Sequence, residues 1–242
     1  MSRKSIGAYD LRERVAAYDA DMELMHPNRP KMVQIALEVL PFDRDAALSA
    51  LDLGVGTGYF TTRFLETFPQ SKVCAVDGAE GMVELARARL GKRAASVDFR
   101  IGDFRELPKL LAGAEGFDVI YSSYALHHLT HEEKRAVAAE AAALLRPGGW
   151  FMNADIVAAE APAVERRIQD IRVHGIIERA RGLDPRFADH AATRRFLDEM
   201  EANEGDQPLT LQEDLTLLRN AGLRDVAVFW LEYREAVTGG RA

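Results

Sequence analysis

The residues most able to do chemistry lie in LDLGVGTGYF, Leu51 to Phe60, where Asp52 stands in an apolar run and Gly54, Gly56 and Gly58 follow at alternate positions. Glycines at that spacing let a backbone turn sharply and approach a ligand with no β-carbon in the way. The TTRFLETF segment that follows has a helical composition, so a helix N-terminus faces the loop. The arrangement suits a nucleoside-bearing cofactor. A dinucleotide loop, G-x-G-x-x-G, needs a third glycine where Tyr59 stands, and Gly58 comes one residue early. A carboxylate at position 52 disfavours a pyrophosphate and favours a ligand that carries an ammonium and a sulfonium. S-adenosylmethionine has that charge pattern and NAD does not.

Around this loop the chain alternates short apolar runs with amphipathic helical segments. SALDLGV reads as a first strand, KVCAVD as a second, SVDFRIGD as a third, FDVIYSS as a fourth and WFMNADIV as a fifth. Helices are expected after Thr57, in EGMVELARARL and in HEEKRAVAAEAAALL, the last closed by RPGG. That order predicts an α/β, Rossmann-like, doubly wound sheet, mostly parallel and covered by helices on both faces. Residues 1–48 read as N-terminal helices forming a lid, 49–157 as the cofactor-binding core and 158–204 as a helical insertion after the fifth strand. Residues 205–242 read as a closing helix and strands with an antiparallel edge pair, all within one domain.

With 48% hydrophobic and 29% charged residues the composition is that of a soluble globular chain, and no run approaches the roughly 18 apolar residues a membrane span needs. The charged start of the chain lacks the apolar core of a secretion signal, so a cytoplasmic location is expected. A net charge of −7 argues against a surface built to hold polyphosphate, so nucleic acid is not the expected partner. Cys74, inside an apolar run, reads as a small core side chain.

From about Ala50 onward these elements resemble the class I S-adenosylmethionine-dependent methyltransferases, through DLGVGTG, AVDGAEGM, GDFREL, FDVIYSSYALHHLT and LLRPGGWFMNADIV. The resemblance implies a seven-stranded sheet, S-adenosylmethionine as methyl donor with S-adenosylhomocysteine as product, and a set of cofactor contacts. Asp52, Gly54, Gly56 and Gly58 form the loop. Asp77, with Gly78 beside it, would accept from both ribose hydroxyls or cap the helix that follows, two compatible roles. Asp103 would accept from the adenine amino group, and Phe104 and Met82 either line the adenine side or pack in the core. Ser122 would meet the methionine part.

Tyr124, His127 and His128 would lie beyond the strand ends near the acceptor. His127 is the candidate general base, and the other reading of a loop histidine is a structural hydrogen-bonder. His131 lies close by, but no H-x-x-x-H pattern with its acid is present and no metal is expected. Tyr9, Tyr18 and His26 belong to the expected lid.

The expected activity is methyl transfer to a small-molecule acceptor by a monomer or homodimer. The ending AGLRDVAVFWLEYREAVTGG is also similar to relatives of the tRNA wobble-uridine carboxymethylation enzymes. A carboxy-S-adenosylmethionine synthase is therefore a second reading, with Arg194 or Arg195 as the cation it needs. A non-catalytic S-adenosylmethionine-binding regulator is the third.

Overall fold

The computed structural model describes residues 6, 7, 9 and 12–242. Helices α1 (Arg12–Met25) and α2 (Arg29–Glu38) precede a sheet of seven strands: β1 (Ser49–Leu53), β2 (Lys72–Asp77), β3 (Val97–Ile101), β4 (Phe117–Ser123), β5 (Leu145–Ile156), β6 (Arg224–Glu232) and β7 (Glu235–Arg241). Their order is β3-β2-β1-β4-β5-β7-β6. The first five are parallel, and β7 runs antiparallel to both β5 and β6. This is the doubly wound, mostly parallel sheet that the strand spacing predicts.

Helices α3 (Tyr59–Thr67), α4 (Glu80–Leu90), the single turn α5 (Leu107–Leu110) and α6 (His131–Leu144) connect the parallel strands. Between β5 and β6 come α7 (Pro162–Ala180), α8 (His190–Glu204) and α9 (Leu211–Asn220), the first two forming the insertion. Reciprocal capping boxes start α6 and α9, Thr130 with Glu133 and Thr210 with Glu213, each satisfying backbone N–H groups that a helix start leaves open.

Side-chain alternation along the strands divides the core. Ala50 packs with Met32 and Val33 of α2 and with Phe60 and Phe64 of α3, whereas Leu51 and Leu53 pack with Val137 of α6 and Leu217 of α9. Asp52, in phase with Ala50, points toward α3. A third cluster joins Met25 to Val173, Ile176, Phe187 and Leu197, so the insertion packs on the end of α1. Cys74 is half-buried, and burial followed by the nearby Asp98 charge pushes its thiol up to about 11, the state of an unreactive core cysteine.

One expectation is corrected. Arg146-Pro-Gly-Gly does not merely stop α6; β5 begins at Leu145 and runs through it. Leu145 pairs with Phe117, and a register shift follows before Trp150 meets Val119. Gly149 permits this because a β-carbon there would sit 2.9 Å from the Arg146 carbonyl and 3.0 Å from that of Phe117.

Candidate active site

The glycine loop joins β1 to α3 at the carboxyl end of the sheet, where a cleft opens. Its three glycines do different work. All have positive φ, but a β-carbon on Gly54 would lie 2.6 Å from that of Ala125, and one on Gly58 3.0 Å from Ala86. A β-carbon on Gly56 would meet none of the described residues within 4 Å, so among them this glycine leaves bare backbone facing the cleft.

Asp77 ends β2 fully buried. Its Oδ2 accepts from the Gly56 N–H at 2.8 Å and its Oδ1 from the Ala79 N–H at 2.9 Å. The helix cap of α4 is Ala79 itself, so Asp77 forms a turn ahead of the helix and keeps lone pairs for a ligand. Burial raises its carboxyl pKa despite those two bonds. Asp52 accepts from the Thr61 hydroxyl at 2.5 Å, and Thr61 also bonds the Tyr121 hydroxyl at 2.9 Å. Burial, and then the Asp77 charge, push Asp52 up to about 7. The cleft thus has two buried carboxylates on its wall, and a cation placed there would relieve the cost of ionising Asp52. At its rim Arg29 stacks 4.2 Å over the Tyr59 ring and bonds Asp19 at 3.2 Å.

Of the residues singled out from sequence, Asp52, Gly54, Gly56, Asp77, Met82 and Tyr124 line this cleft. Gly58 and Phe104 support the loop from behind, the Phe104 ring lying 3.6 Å from where a Gly54 β-carbon would be. Gly78 is covered by Ile6, since a β-carbon would come within 2.7 Å of it. Asp103 does not line the cleft: Arg105, two residues on, folds back on its carboxylate, and these bonds outweigh burial to hold it below its usual range. Ser122 is also turned away and donates to the Leu53 carbonyl at 2.9 Å. Its neighbour Ser123 faces the cleft on the opposite side of the strand, with a buried hydroxyl that has no hydrogen-bond partner among the described residues.

His127 lies on a separate cavity with Lys134, Asn153 and Asp155. Its Nδ1 is 2.6 Å from Asp155, its backbone N–H donates to the same carboxylate, and its Nε2 is 3.7 Å from Asp206. Burial works against the charged ring, but the two carboxylates prevail and its pKa is raised. His128 bonds Asp206 at 2.9 Å, yet burial and the adjacent His127 lower it to about 4. One donor atom from each of His127, His128 and Asp206 falls within 4.8 Å of the others, and the hydrogen bonds of the cluster already engage these groups. Tyr9, on the cleft wall, donates to Glu204 at 2.8 Å and meets the His128 ring edge-on.

The titratable group next to the cleft is one the sequence reading did not assemble. Tyr124, held at φ 48°, donates its hydroxyl to Glu235 at 2.6 Å, and the same carboxylate oxygen is 3.0 Å from His26 Nδ1. Asn28 donates to the other oxygen at 2.9 Å. Burial drives His26 down to about 4, while the donors around Glu235 outweigh its burial and keep it below its usual range. Burial and the Glu235 charge raise Tyr124 well above 10, so the phenol stays protonated. His26 and Glu235 are 209 residues apart, and no spacing in the sequence signals the pair. The Arg194 and Arg195 expected to meet an extra carboxylate diverge: Arg194 is engaged by Gln169, Asp198 and Glu201, whereas Arg195 is exposed.

A glycine-looped, seven-stranded sheet with an acid closing its second strand defines a class I methyltransferase, and residues 50–149 match the family described as a methyltransferase domain. The chain is 33% identical over 162 residues to the uncharacterized methyltransferase YrrT of Bacillus subtilis, covering 67% of this chain and 71% of that protein. It belongs to the class I S-adenosylmethionine-dependent methyltransferase family. The match spans only 60% of the length of the first of its curated relatives, from Anoxybacillus flavithermus. Among solved structures, an O-methyltransferase family protein from Burkholderia thailandensis superposes with a TM-score of 0.67 at 18% identity, over 97% of this chain and 61% of that one. Human N-acetylserotonin methyltransferase, solved in complex with SAM, gives 0.59 at 18% identity, over 95% and 55%. At these identities the likeness is one of fold. No helix among the described residues is long and apolar enough to cross a membrane.

Proposed function

We propose that the cleft binds S-adenosylmethionine and that the protein transfers its methyl group to a small-molecule acceptor. The observation that carries this reading is the bare Gly56 backbone beside the buried Asp77 carboxylate, with the second buried carboxylate, Asp52, further along the same cleft. Asp77, with two lone-pair positions taken by backbone, would hold the vicinal ribose hydroxyls with those that remain. Asp52 would meet the ammonium, Arg29 the amino-acid carboxylate, and the unpartnered Ser123 hydroxyl offers a further contact. When bound, the cofactor supplies a methyl group already activated by its sulfonium.

The protein's own task is then to exclude water and to align acceptor and methyl, a positioning effect worth up to about 7–11 kcal/mol. For an acceptor that must lose a proton, His26 is the base. Glu235 accepts from Nδ1–H, which leaves the lone pair on Nε2, and burial keeps the ring neutral at physiological pH. The Glu235 carboxylate then stabilises the imidazolium that forms. His127, clamped between two carboxylates on another cavity, acts as a positioning residue for the loop after β4.

Calorimetry tests the cofactor assignment. S-adenosylhomocysteine should bind and NAD should not, and Asp77→Ala should weaken binding by about 1.5–3 kcal/mol, the range for a hydrogen bond to a charged group. Binding of NAD without S-adenosylhomocysteine, or unchanged affinity in Asp77→Ala, would overturn it.

A further inference from the structure

On the far side of the Tyr124–Glu235–His26 cluster lies a second cavity, of about 160 Å³, between the end of α1, helix α7 and the β6–β7 turn. Its walls are mostly apolar, with Met25, Pro27, Ile168 and Ile171, yet three arginines, Arg172, Arg179 and Arg234, also line it. The Arg172 and Arg234 side chains are only 8% and 7% exposed. Each has a buried Nε with no hydrogen-bond partner among the described residues. Glu201 is shared among Arg172, Arg194 and Arg234, its bond to Arg234 stretched to 3.5 Å.

Glu235 is spoken for by His26, Tyr124 and Asn28, and Asn28 also bonds Glu232 at 3.3 Å. Arg179 reaches the Leu24 carbonyl at 2.7 Å, passing over Gly175, where a β-carbon would sit 2.9 Å from its guanidinium. A glycine inside a 19-residue helix is unfavourable by roughly 1 kcal/mol relative to alanine, and here it makes room for a cation. Glu232 and Glu235 line the cavity too, so its charges are matched, but the two buried Nε–H groups left without an acceptor among the described residues are costly in an apolar cavity unless a ligand oxygen joins them.

We infer that this cavity takes the acceptor, and that the acceptor is a carboxylate on an apolar body of about one ring. The inference rests on the methyltransferase reading given above. A cavity of this size is close to that which holds one benzene molecule. Arg172, Arg179 and Arg234 bind the carboxylate, in the planar, two-pronged manner for which guanidinium is suited. The apolar body lies against Ile168, Ile171 and Met25, and its reacting atom is directed to His26, which lines the same cavity. His26 contacts Tyr124 at 4.6 Å between ring centroids and Tyr124 lines the cofactor cleft, so the acceptor meets the methyl group only when the Tyr124 side chain turns out from between the two cavities.

Ligand-observed NMR with benzoate and hexanoate, each paired with its amide, tests this with S-adenosylhomocysteine present. Both carboxylates should bind in preference to benzamide and hexanamide. Arg172→Gln and Arg179→Gln should each weaken carboxylate binding by about 10- to 100-fold while leaving S-adenosylhomocysteine affinity unchanged. Among the described residues the hydrogen bond of Arg179 goes to a backbone carbonyl, so its variant keeps the test valid if Arg172→Gln does not fold. Equal binding of acid and amide, or a preference that survives in Arg179→Gln, overturns the inference. A parallel S-adenosylhomocysteine titration separates the two readings: its failure removes the methyl-transfer reading, whereas its success without carboxylate preference removes only this one.

Discussion

The unequal surroundings of the loop glycines predict that two similar substitutions fail in different ways. Gly56→Ala places a methyl group in open space, so folding suffers only the left-handed backbone strain at φ +51°, roughly 1–2 kcal/mol. For a chain of this length that lowers Tm by about 2–8 °C. Gly54→Ala suffers the same strain and drives its β-carbon to 2.6 Å from Ala125, where overpacking adds roughly 1–3 kcal/mol, for a total of roughly 2–5 kcal/mol. With cofactor the ranking reverses. The methyl of Gly56→Ala stands where the ligand must approach, and a similar overpacking cost there weakens binding by about 5- to 150-fold. Thermal melts without ligand and calorimetry with S-adenosylhomocysteine read the two effects separately. Wild-type affinity in Gly56→Ala would refute the placement of the cofactor over this residue, and a Gly54→Ala protein as stable as Gly56→Ala would refute the packing argument.

Three further outcomes follow from titratable groups. Because Asp52 is held at about 7 and a cationic ligand favours its ionised form, binding at pH 7 should release about half a proton. The calorimetric enthalpy should therefore vary with buffer in wild type but not in Asp52→Asn, and no buffer dependence in wild type would count against the ammonium contact. His26→Ala should lower turnover by about 10²–10⁴-fold for an acceptor that sheds a proton, beyond the roughly 1–3 kcal/mol of stability lost when buried Glu235 gives up one of its donors. His127→Ala should act mainly on stability, by roughly 1–3 kcal/mol, since it takes the imidazole from buried Asp155, which keeps two backbone N–H donors, while Asp206 keeps His128. The raised His127 pKa makes that contribution complete below the unfolded value near 6.5 and lost as pH climbs through the folded one. The difference in Tm between wild type and His127→Ala should therefore narrow at pH 9, and a constant gap would argue against the ion-pair account.

The glycine loop and the acid that ends β2 were legible because their information is local. The positions of Gly54, Gly56, Gly58 and Asp77 follow from strand ends and a turn, which short spacings encode. Local reasoning erred where a neighbour competes for the same atoms, as Arg105 does for Asp103, or where a strand turns adjacent side chains to opposite faces, as with Ser122 and Ser123. His127 had the right residue type and the right loop, but Asp155 on β5 and Asp206 after α8 draw it to another cavity. The His26–Glu235 pair depends on α1 and the β6–β7 turn meeting in space, and no periodicity in either segment carries that information. The five parallel strands were readable from alternation, whereas the extra length of β5 depended on a bulge that Pro and Gly concealed.

The arginine cavity draws its walls from residues 25–28, 168–179 and 232–235, all of them outside the stretch 50–149 shared with the family. The shared stretch is therefore blind to what the arginines hold. Donor and acceptor halves can drift apart in descent: substitutions in α7 or at the β6–β7 turn would redirect the protein to a new compound without altering a loop glycine. A relative could match every residue from Ala50 to Gly149 and still act on a neutral molecule. Kinship in substrate is better judged from whether Arg172, Gly175, Arg179 and Arg234 recur together than from overall identity.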